Sequence, residues 1–360
     1  MVLVSILGDF HSSIIPISYE FRDKITHHII VYDDAKSDIK EASRIIQGQE
    51  NLKQLDPNVK FEIKPIIIDE DDYYSILGCI QKIKNIASSY DDIYINTTDG
   101  LSSIAIVLSN HFLDIGSKVI AYDRYDNTYN LHTSNGMQKH TVQNNLDIKA
   151  HLLMKGYKIK ELISKDTLEF NKPHIYKLMS DTTRYKEFSD LLNKQRFEEI
   201  AGYNDIKSTL NEIGYTKQHK IQGAIFEEYI YHIIKDNFEF DDIQTGIKVE
   251  FDDDVENEFD ILMIKNNHLH TIECKFVNKL NGEHYVYKTY AIKDYLDDDG
   301  RAMILSIGAD NQTISKSGRK SVQFNRGDKA RAKYTQIKLH QSKEFNKEKF
   351  LQEIKEWFCI

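Results

Sequence analysis

Apolar runs of strand length recur through the first third of the chain, at 2–7 (Val-Leu-Val-Ser-Ile-Leu), 28–33, 61–68, 92–96 and 118–122. The stretches between them, roughly 12–24, 36–54, 70–88 and 101–114, carry their apolar residues at helical spacing. Near-continuous Val, Ile and Leu strands alternating with helix-length segments predict a parallel α/β sheet covered on both faces. A hairpin-like stretch, Asp126–Thr133, closes that unit. From 147 to 215 the texture changes to short apolar clusters with polar joints (Leu152, Leu153, Ile159, Leu162, Ile163, then Tyr176, Leu178, Met179), which predicts a helical connector or a small winged-helix module. Further on, Gly223–Ile234 has the spacing of an amphipathic helix, with Ile225, Phe226, Tyr229, Ile230, Ile233 and Ile234 on one arc. Glu228, His232 and Lys235 fall on the opposite, solvated side, while Glu227 sits at the edge of the apolar arc and needs a partner. The expected division is therefore 1–146, 147–215 and 216–360, with Leu351, Ile354, Trp357 and Phe358 packing into the core of the last part.

Composition bounds the function classes. At 360 residues, 41% hydrophobic and 29% charged, the chain has the make-up of a globular protein of two domains. No run of 18 apolar residues occurs, so a membrane span is not expected. The first ten residues lack a basic leader and turn polar after seven, unlike a secretory signal. Cys79, Cys274 and Cys359 are far apart and form no Cys-x-x-Cys pair, which excludes a disulfide scaffold and a structural zinc cluster and fits a reducing cytoplasm. A net charge of -9 hides an asymmetry: residues 236–260 hold eleven acids and one lysine, and residues 316–338 hold eight basic residues and one acid. An acidic block beside a basic block is what a metal-dependent enzyme acting on phosphates needs, although each alone is an ordinary solvated surface.

In doubly wound sheets ligands sit beyond the carboxyl ends of the strands. Two turns are candidates, Gly8-Asp9-Phe10-His11-Ser12-Ser13 after the first strand and Asn96-Thr97-Thr98-Asp99-Gly100-Leu101-Ser102 after the fourth. Small residues admit a ligand close to the backbone, and a helix start offers free N–H groups to an anion. Neither turn is Gly-x-Gly-x-x-Gly or a Walker loop, so ordinary dinucleotide or ATP binding is disfavoured. The same residue types also serve simple helix capping.

The strongest chemistry lies at 257–275, which reads as two strands around an Asn266-Asn267 turn, Asn tolerating the positive φ that tight hairpins demand. Strand partners then sum to 533, which places Asp260 opposite Glu273 and on the same face as Lys275. Facing carboxylates repel; a bridging divalent cation such as Mg²⁺ or Mn²⁺ would resolve the repulsion, and deleting one carboxylate should relieve it. An acid-x-Lys triplet alone is weak, since Asp34–Lys36 and Glu353–Lys355 are others in this chain.

Glu227, Asp260 and Glu273-Cys274-Lys275 together resemble the PD-(D/E)XK core of restriction-endonuclease-like nucleases. The continuation Val286–Leu296, ending in Asp299-Gly300-Arg301-Ala302, is similar to the branch in which a CRISPR-associated Rossmann-fold (CARF) domain precedes the nuclease, as in ancillary nucleases of type III CRISPR defence. The resemblance implies a CARF domain followed by a nuclease domain with a mixed sheet, and activation by a cyclic oligoadenylate such as cyclic tetra-adenylate. It implies that Asp260, Glu273 and the Cys274 carbonyl hold the metal, that Glu227 assists, and that Lys275 positions or deprotonates the attacking water. Lys316, Arg319, Lys320, Arg326, Lys329 and Arg331 would follow the RNA or DNA backbone, with Tyr334 or Phe324 stacking on a base. The ring would bind across a homodimer, between both copies of Gly8–Ser13 and of Asn96–Ser103. Family sensors often read Asn-x-Thr-Gly-Gly-Thr-Lys at the second turn; Asn96, Thr98 and Gly100 match, and the second glycine and the lysine do not. Two rival readings are a nucleotide-sensing transcription regulator without enzymatic activity and a stand-alone repair or restriction nuclease.

Overall fold

The computed structural model describes residues 1–8, 14–57, 59–87, 92–100, 102–180, 208, 210–214, 218–251, 255–276, 280–297, 299–307, 313–314, 320–321, 324–342 and 344–358. They form two compact units, Met1–Lys158 and Ile159–Ile360.

In the first unit the expected alternation is present: β1 (Val2–Ile6), α1 (Ile14–Glu20), β2 (His27–Asp33), α2 (Lys36–Leu55), β3 (Glu62–Ile68), α3 (Tyr73–Ala87), β4 (Ile93–Asn96), α4 (Ser102–Asp114) and β5 (Lys118–Asp123). The hairpin β6 (Thr128–Thr133) and β7 (Gly136–Thr141) follows, then α5 (Ile148–Met154). The sheet runs β3-β2-β1-β4-β5-β6-β7, with the first five strands parallel and the last two antiparallel. Strand order reverses between β1 and β4, so their carboxyl ends flank the crevice where such sheets bind ligands. Those ends carry the two turns singled out from the sequence. The core of this unit joins Val2, Val4 and Ile6 with Ile29, Val31 and Ile95, covered by Ile76, Ile80 and Ile83 of α3 and Ile104, Leu108 and Phe112 of α4.

Helix α2 meets the segment that contains α5 at backbone distance. A Cβ on Gly48 would lie 2.1 Å from the Met154 carbonyl oxygen, a contact no rotamer change relieves. Gly48→Ala is expected to destabilise the first unit by about 3 kcal/mol, the upper end of ordinary overpacking costs. An unchanged urea midpoint for that unit would contradict the close approach.

The second unit takes in β8 (Lys158–Glu161), α6 (Lys165–Met179), α7 (Gln218–Asn237), β9 (Asp242–Glu250), β10 (Glu256–Lys265), β11 (His268–Phe276), α8 (Gly282–Leu296) and β12 (Ala302–Ile307). The pair β13 (Thr313–Ile314) and β14 (Lys320–Ser321), α9 (Arg326–Tyr334), β15 (Ile337–Ser342) and α10 (Lys347–Phe358) complete it. Its mixed sheet is ordered β15-β12-β11-β10-β9-β8. The segment expected as a helical connector thus divides: α5 belongs to the first unit, α6 to the second, and β8, which starts at the boundary residue Lys158, joins the second unit's sheet. Residues 181–207 lie outside the described residues.

One face of this sheet packs Ile261, Met263, Ile272 and Cys274 against α6, α7 and α10, including Ile354 and Phe358 as expected. The other face packs Ile304 and Ile337 with Val286 of α8 and with Phe324 and Ala332. Strand alternation turns Glu273 and Lys275 away from the Cys274 face, toward α8.

Candidate functional site

Asn266 and Asn267 adopt φ of 53° and 65°, the left-handed pair a two-residue hairpin turn requires. The register from Ile261↔Ile272 to Lys265↔His268 holds the expected sum throughout. Its continuation sets Asp260 opposite Glu273. There the ladder gives way: Asp260 Oδ2 accepts the Cys274 amide at 2.7 Å, so a carboxylate takes the place of a strand carbonyl. Opposite Asp260 on β9, Gly246 has φ of +61°, and a Cβ there would come 2.8 Å from Ile163. Thr245 Oγ1 donates to the Asp260 carbonyl at 2.6 Å and fixes this point of β10.

The Lys275 ammonium occupies the centre of the site. It donates to Asp260 Oδ2 at 2.9 Å and to the Cys274 carbonyl at 2.9 Å, and pairs with Glu273 Oε1 at 2.8 Å. All three of its N–H donors are therefore engaged. The sequence-derived repulsion between the facing carboxylates is answered in the protein itself, by a lysine. Asp260 and Glu273 are both 8% exposed, so the contact is largely desolvated. Burial lowers the proton affinity of Lys275, but Asp260 and Glu273 overcome it and hold the group above its ordinary range. In this arrangement the Lys275 ammonium is a fixed cation.

The donor set fits a hard divalent ion. The three oxygens that hold one cationic centre are the two carboxylates and the carbonyl expected as metal ligands, and hard cations prefer such all-oxygen sites. The thiol of Cys274 takes no part: burial first, and then the Asp260 charge, pushes it well up, so it stays protonated. Among the described residues, no group of three His, Cys, Asp or Glu side chains already forms a metal cage. Glu227 on α7 belongs to the same electrostatic cluster, raised well above the carboxylate range by burial and then by Asp260.

Asp260 is pushed up to about 6, first by burial and then by Glu273, against Lys275 and the Cys274 amide. A carboxyl that binds its proton more tightly folded than unfolded contributes stability that is lost as pH rises through its folded pKa. Without metal the second unit is therefore expected to weaken between pH ~4 and ~6, on the order of 1–3 kcal/mol, with the carboxyls titrating as a coupled set. Divalent-ion affinity should rise over the same interval, because the ion needs the deprotonated oxygens. Thermal unfolding of metal-free protein across this range checks it; a flat or rising profile would contradict the assignment.

Other expectations need correction. Glu228 and His232 do not face solvent: they are 1% and 0% exposed, because α6 covers that side of α7. Glu228 accepts from Asn171 Nδ2 at 3.3 Å and lies 3.6 Å from His232 Nε2. Phe324 is 1% exposed and packs in the core, so it offers no stacking surface, whereas Tyr334 is 90% exposed. Of the basic run, Arg326 and Lys329 are exposed on α9, and the Arg331 guanidinium lies 4.3 Å over the Tyr287 ring. Lys316 and Arg319 lie outside the described residues, and Lys320 is described only as part of β14. Sequence reasoning missed Lys288 of α8, whose Nζ donates to Glu273 Oε1 at 3.2 Å. Its only signal was helical spacing in a segment already singled out.

At the crevice of the first unit, Asp9, Phe10, His11, Ser12 and Ser13 are outside the described residues, as is the side chain of Ser102. The Gly8 amide donates to Asp99 Oδ2 at 3.4 Å, so the two expected turns touch. Asn96 is fully buried. Its Oδ1 accepts both the Thr98 amide (3.2 Å) and the Thr98 hydroxyl, and its Nδ2 donates to Ser5 Oγ at 3.5 Å. Thr97 Oγ1 donates to the Ile120 carbonyl at 3.1 Å, and Thr98 Oγ1 accepts the Tyr122 amide at 3.0 Å. Gly100 lies so close to Ile6 that a Cβ would meet its side chain at 3.0 Å. Asn96, Thr97, Thr98 and Gly100 therefore shape the turn from within. Behind them Ser5 Oγ contacts His28 Nε2 at 2.9 Å and His28 Nδ1 contacts Gln49 Oε1 at 2.5 Å, a chain no sequence motif announced. Burial pulls His28 down to about 4, so it is neutral there.

Residues 216–338, within the second unit, match the family described as Card1-like, endonuclease domain. No curated protein matches the sequence. Among solved structures the fold is shared with protein VC1899 from Vibrio cholerae, at 17% identity, covering 99% of this chain and 98% of that one with a TM-score of 0.72. It is shared with Can2 from Sulfobacillus thermosulfidooxidans, solved with cyclic tetra-adenylate, at 18% identity over 99% and 98% of the two chains, TM-score 0.68. A type III CRISPR defence DNA nuclease activated by cyclic oligoadenylate matches at 11% identity over 92% of this chain and 51% of that one, TM-score 0.54. The likeness read from the motifs holds for the two-unit α/β fold and for the endonuclease domain.

Proposed function

We propose that this chain, with its Card1-like endonuclease domain, is a divalent-metal-dependent nuclease of type III CRISPR antiviral defence. It cleaves RNA or DNA, as single strands or by nicking duplex, when a cyclic oligoadenylate binds its first unit. It works in the cytoplasm as a homodimer, with the ring, cyclic tetra-adenylate first among the candidates, bridging two copies of the crevice. The observation that carries the reading is the single cationic centre held at 2.8–2.9 Å by Asp260, Glu273 and the Cys274 carbonyl. Can2 in its complex with cyclic tetra-adenylate shares the fold over nearly the whole chain, which supports the choice of activator.

Asp260, Glu273 and the Cys274 carbonyl would hold Mg²⁺ or Mn²⁺, with Glu227 at the margin. A metal bound there supplies Lewis-acid stabilisation of the phosphate and an activated water. Lys275, displaced from these oxygens, keeps its ammonium beside the reacting phosphate and orients the water. Arg326, Lys329 and Arg331 of α9 present positive charge to the strand, and Tyr334 offers a ring for a base.

The test is cleavage of labelled RNA and DNA with Mn²⁺, Mg²⁺ or EDTA, with and without each cyclic oligoadenylate. Cleavage that needs both a divalent ion and one ring size is the expected result. Full activity in EDTA would remove the metal, and full activity without any ring would remove the sensor. Light scattering reports the dimer.

A further inference from the structure

We infer that Lys288 is a further catalytic residue, contacting the scissile phosphate from the α8 side of the carboxylate pair; this rests on the nuclease reading above. Two ammonium groups converge on one oxygen, Glu273 Oε1, Lys275 at 2.8 Å and Lys288 at 3.2 Å. They differ in what they have left to give. In the metal-free site Lys275 spends its three donors on Asp260, Glu273 and the Cys274 carbonyl, and its side chain is 17% exposed. Lys288 gives one donor to Glu273, and its side chain is 33% exposed, so it presents N–H groups to anything that arrives from solvent. An ammonium whose purpose was to neutralise Glu273 would duplicate Lys275 at a longer distance. One that reaches past Glu273 toward solvent is placed to receive an anion.

The surroundings match a nucleic-acid strand. Tyr287, the next residue on α8, is 49% exposed, and Arg331 of α9 lies over its ring at 4.3 Å. A half-exposed ring with a guanidinium stacked on it, one residue from Lys288, is a base and phosphate contact of the kind single-strand binders use. During hydrolysis a water oxygen bonds to phosphorus while the P–O ester bond breaks and the leaving oxygen takes a proton. Charge gathers on the non-bridging oxygens, and N–H donors held beside them stabilise that charge more than the ground state.

The experiment compares the parent with Lys288→Ala, Lys288→Met and Lys288→Arg, all with Mn²⁺ and the activating ring, on a labelled single-stranded oligonucleotide. Lys288→Ala and Lys288→Met are expected to lower kcat/KM on the order of 10²-fold, and Lys288→Arg to recover most of it. Binding of the oligonucleotide, measured with Ca²⁺ replacing Mn²⁺, should lose about 0.7 from its slope of log affinity against log salt, the signature of one phosphate contact. Unchanged kcat/KM in the Ala and Met variants would overturn the inference while leaving the nuclease reading intact. So would a loss with the parent salt slope and weaker Mn²⁺ binding, which would make Lys288 a support for Glu273. Because Lys288 is partly exposed, the variants should melt within a few degrees of the parent; a collapsed fold in all three, Arg included, would show a structural role and overturn the inference too. A parent that cleaves nothing under any condition fails the nuclease reading itself and the inference with it.

Discussion

Lys275→Met is expected to lose cleavage by at least about 10³-fold, in the range that removal of an acid, base or positioning group costs, and to be markedly less stable than the parent when metal is absent. Lys275 is the cation between two carboxylates that are both 8% exposed. Deleting it leaves Asp260 and Glu273 facing each other with no counter-ion from this residue. Breaking a buried ion pair from one side costs about 3–5 kcal/mol, most of it for the charge left behind. Part of that loss should appear as protonation of the carboxyls, so the deficit grows as pH rises. Mg²⁺ or Mn²⁺ should restore stability to the variant more than to the parent, because in the parent the ion displaces an ammonium and in the variant it fills a bare site. Thermal melts with and without each metal, alongside the cleavage assay, read all three effects. A metal-free Lys275→Met as stable as the parent, or one that cleaves at the parent rate, would refute the site. The same geometry revises the expectation that deleting one carboxylate relieves repulsion. Asp260→Ala leaves the Cys274 amide without its 2.7 Å acceptor and the ammonium without one of its partners, so it too should destabilise the protein.

Much of this centre was legible in the residues because period-two geometry leaves little choice. Once Asn266 and Asn267 are the turn, the sum of 533 follows for every pair, and Asp260, Glu273 and Lys275 must share a face. The alternation of the first unit was equally legible, since buried parallel strands are apolar on both sides. What failed did so where one element's environment depends on another remote in sequence. Glu228 and His232 have the helical phase of a solvated face, and only the placement of α6, through Asn171, buries them. Phe324 sits in a basic stretch that reads as surface, yet it packs with Val286 and Ile304. Lys288 shares no local pattern with Glu273, fifteen residues earlier, and their contact comes from how α8 crosses the sheet. The strand β8, four residues long, carries too short a pattern to stand apart from helical neighbours.

At the other end of the chain, Asn96→Ala is expected to raise the cyclic oligoadenylate concentration needed for half-maximal cleavage roughly tenfold or more and to leave the maximal rate within about twofold. Asn96 is fully buried and its carbonyl gathers the Thr98 amide and hydroxyl, while Thr98 in turn accepts the Tyr122 amide. Truncating it leaves two donors with no acceptor and loosens the turn that leads into α4. An unmade buried hydrogen bond costs about 1–3 kcal/mol, and 1.4 kcal/mol is a factor of ten in affinity. On the proposed sensing role, the part of that cost borne by the ring-bound state is read as a higher activator requirement, since an activator shifts a switch only by the difference in its affinity for the two states. The Asn96 side chain bonds to Ser5 and Thr98 and supplies no oxygen to the Asp260 and Glu273 site, so the maximal rate is expected to hold. Asn96→Asp keeps the acceptor but places a charge in a site with no exposure, and it should be the more damaging of the two. Titrating the ring against cleavage rate separates the outcomes. A half-maximal concentration that does not move would show that this turn takes no part in sensing. A maximal rate that falls with no shift in that concentration would assign Asn96 to the fold of the first unit alone.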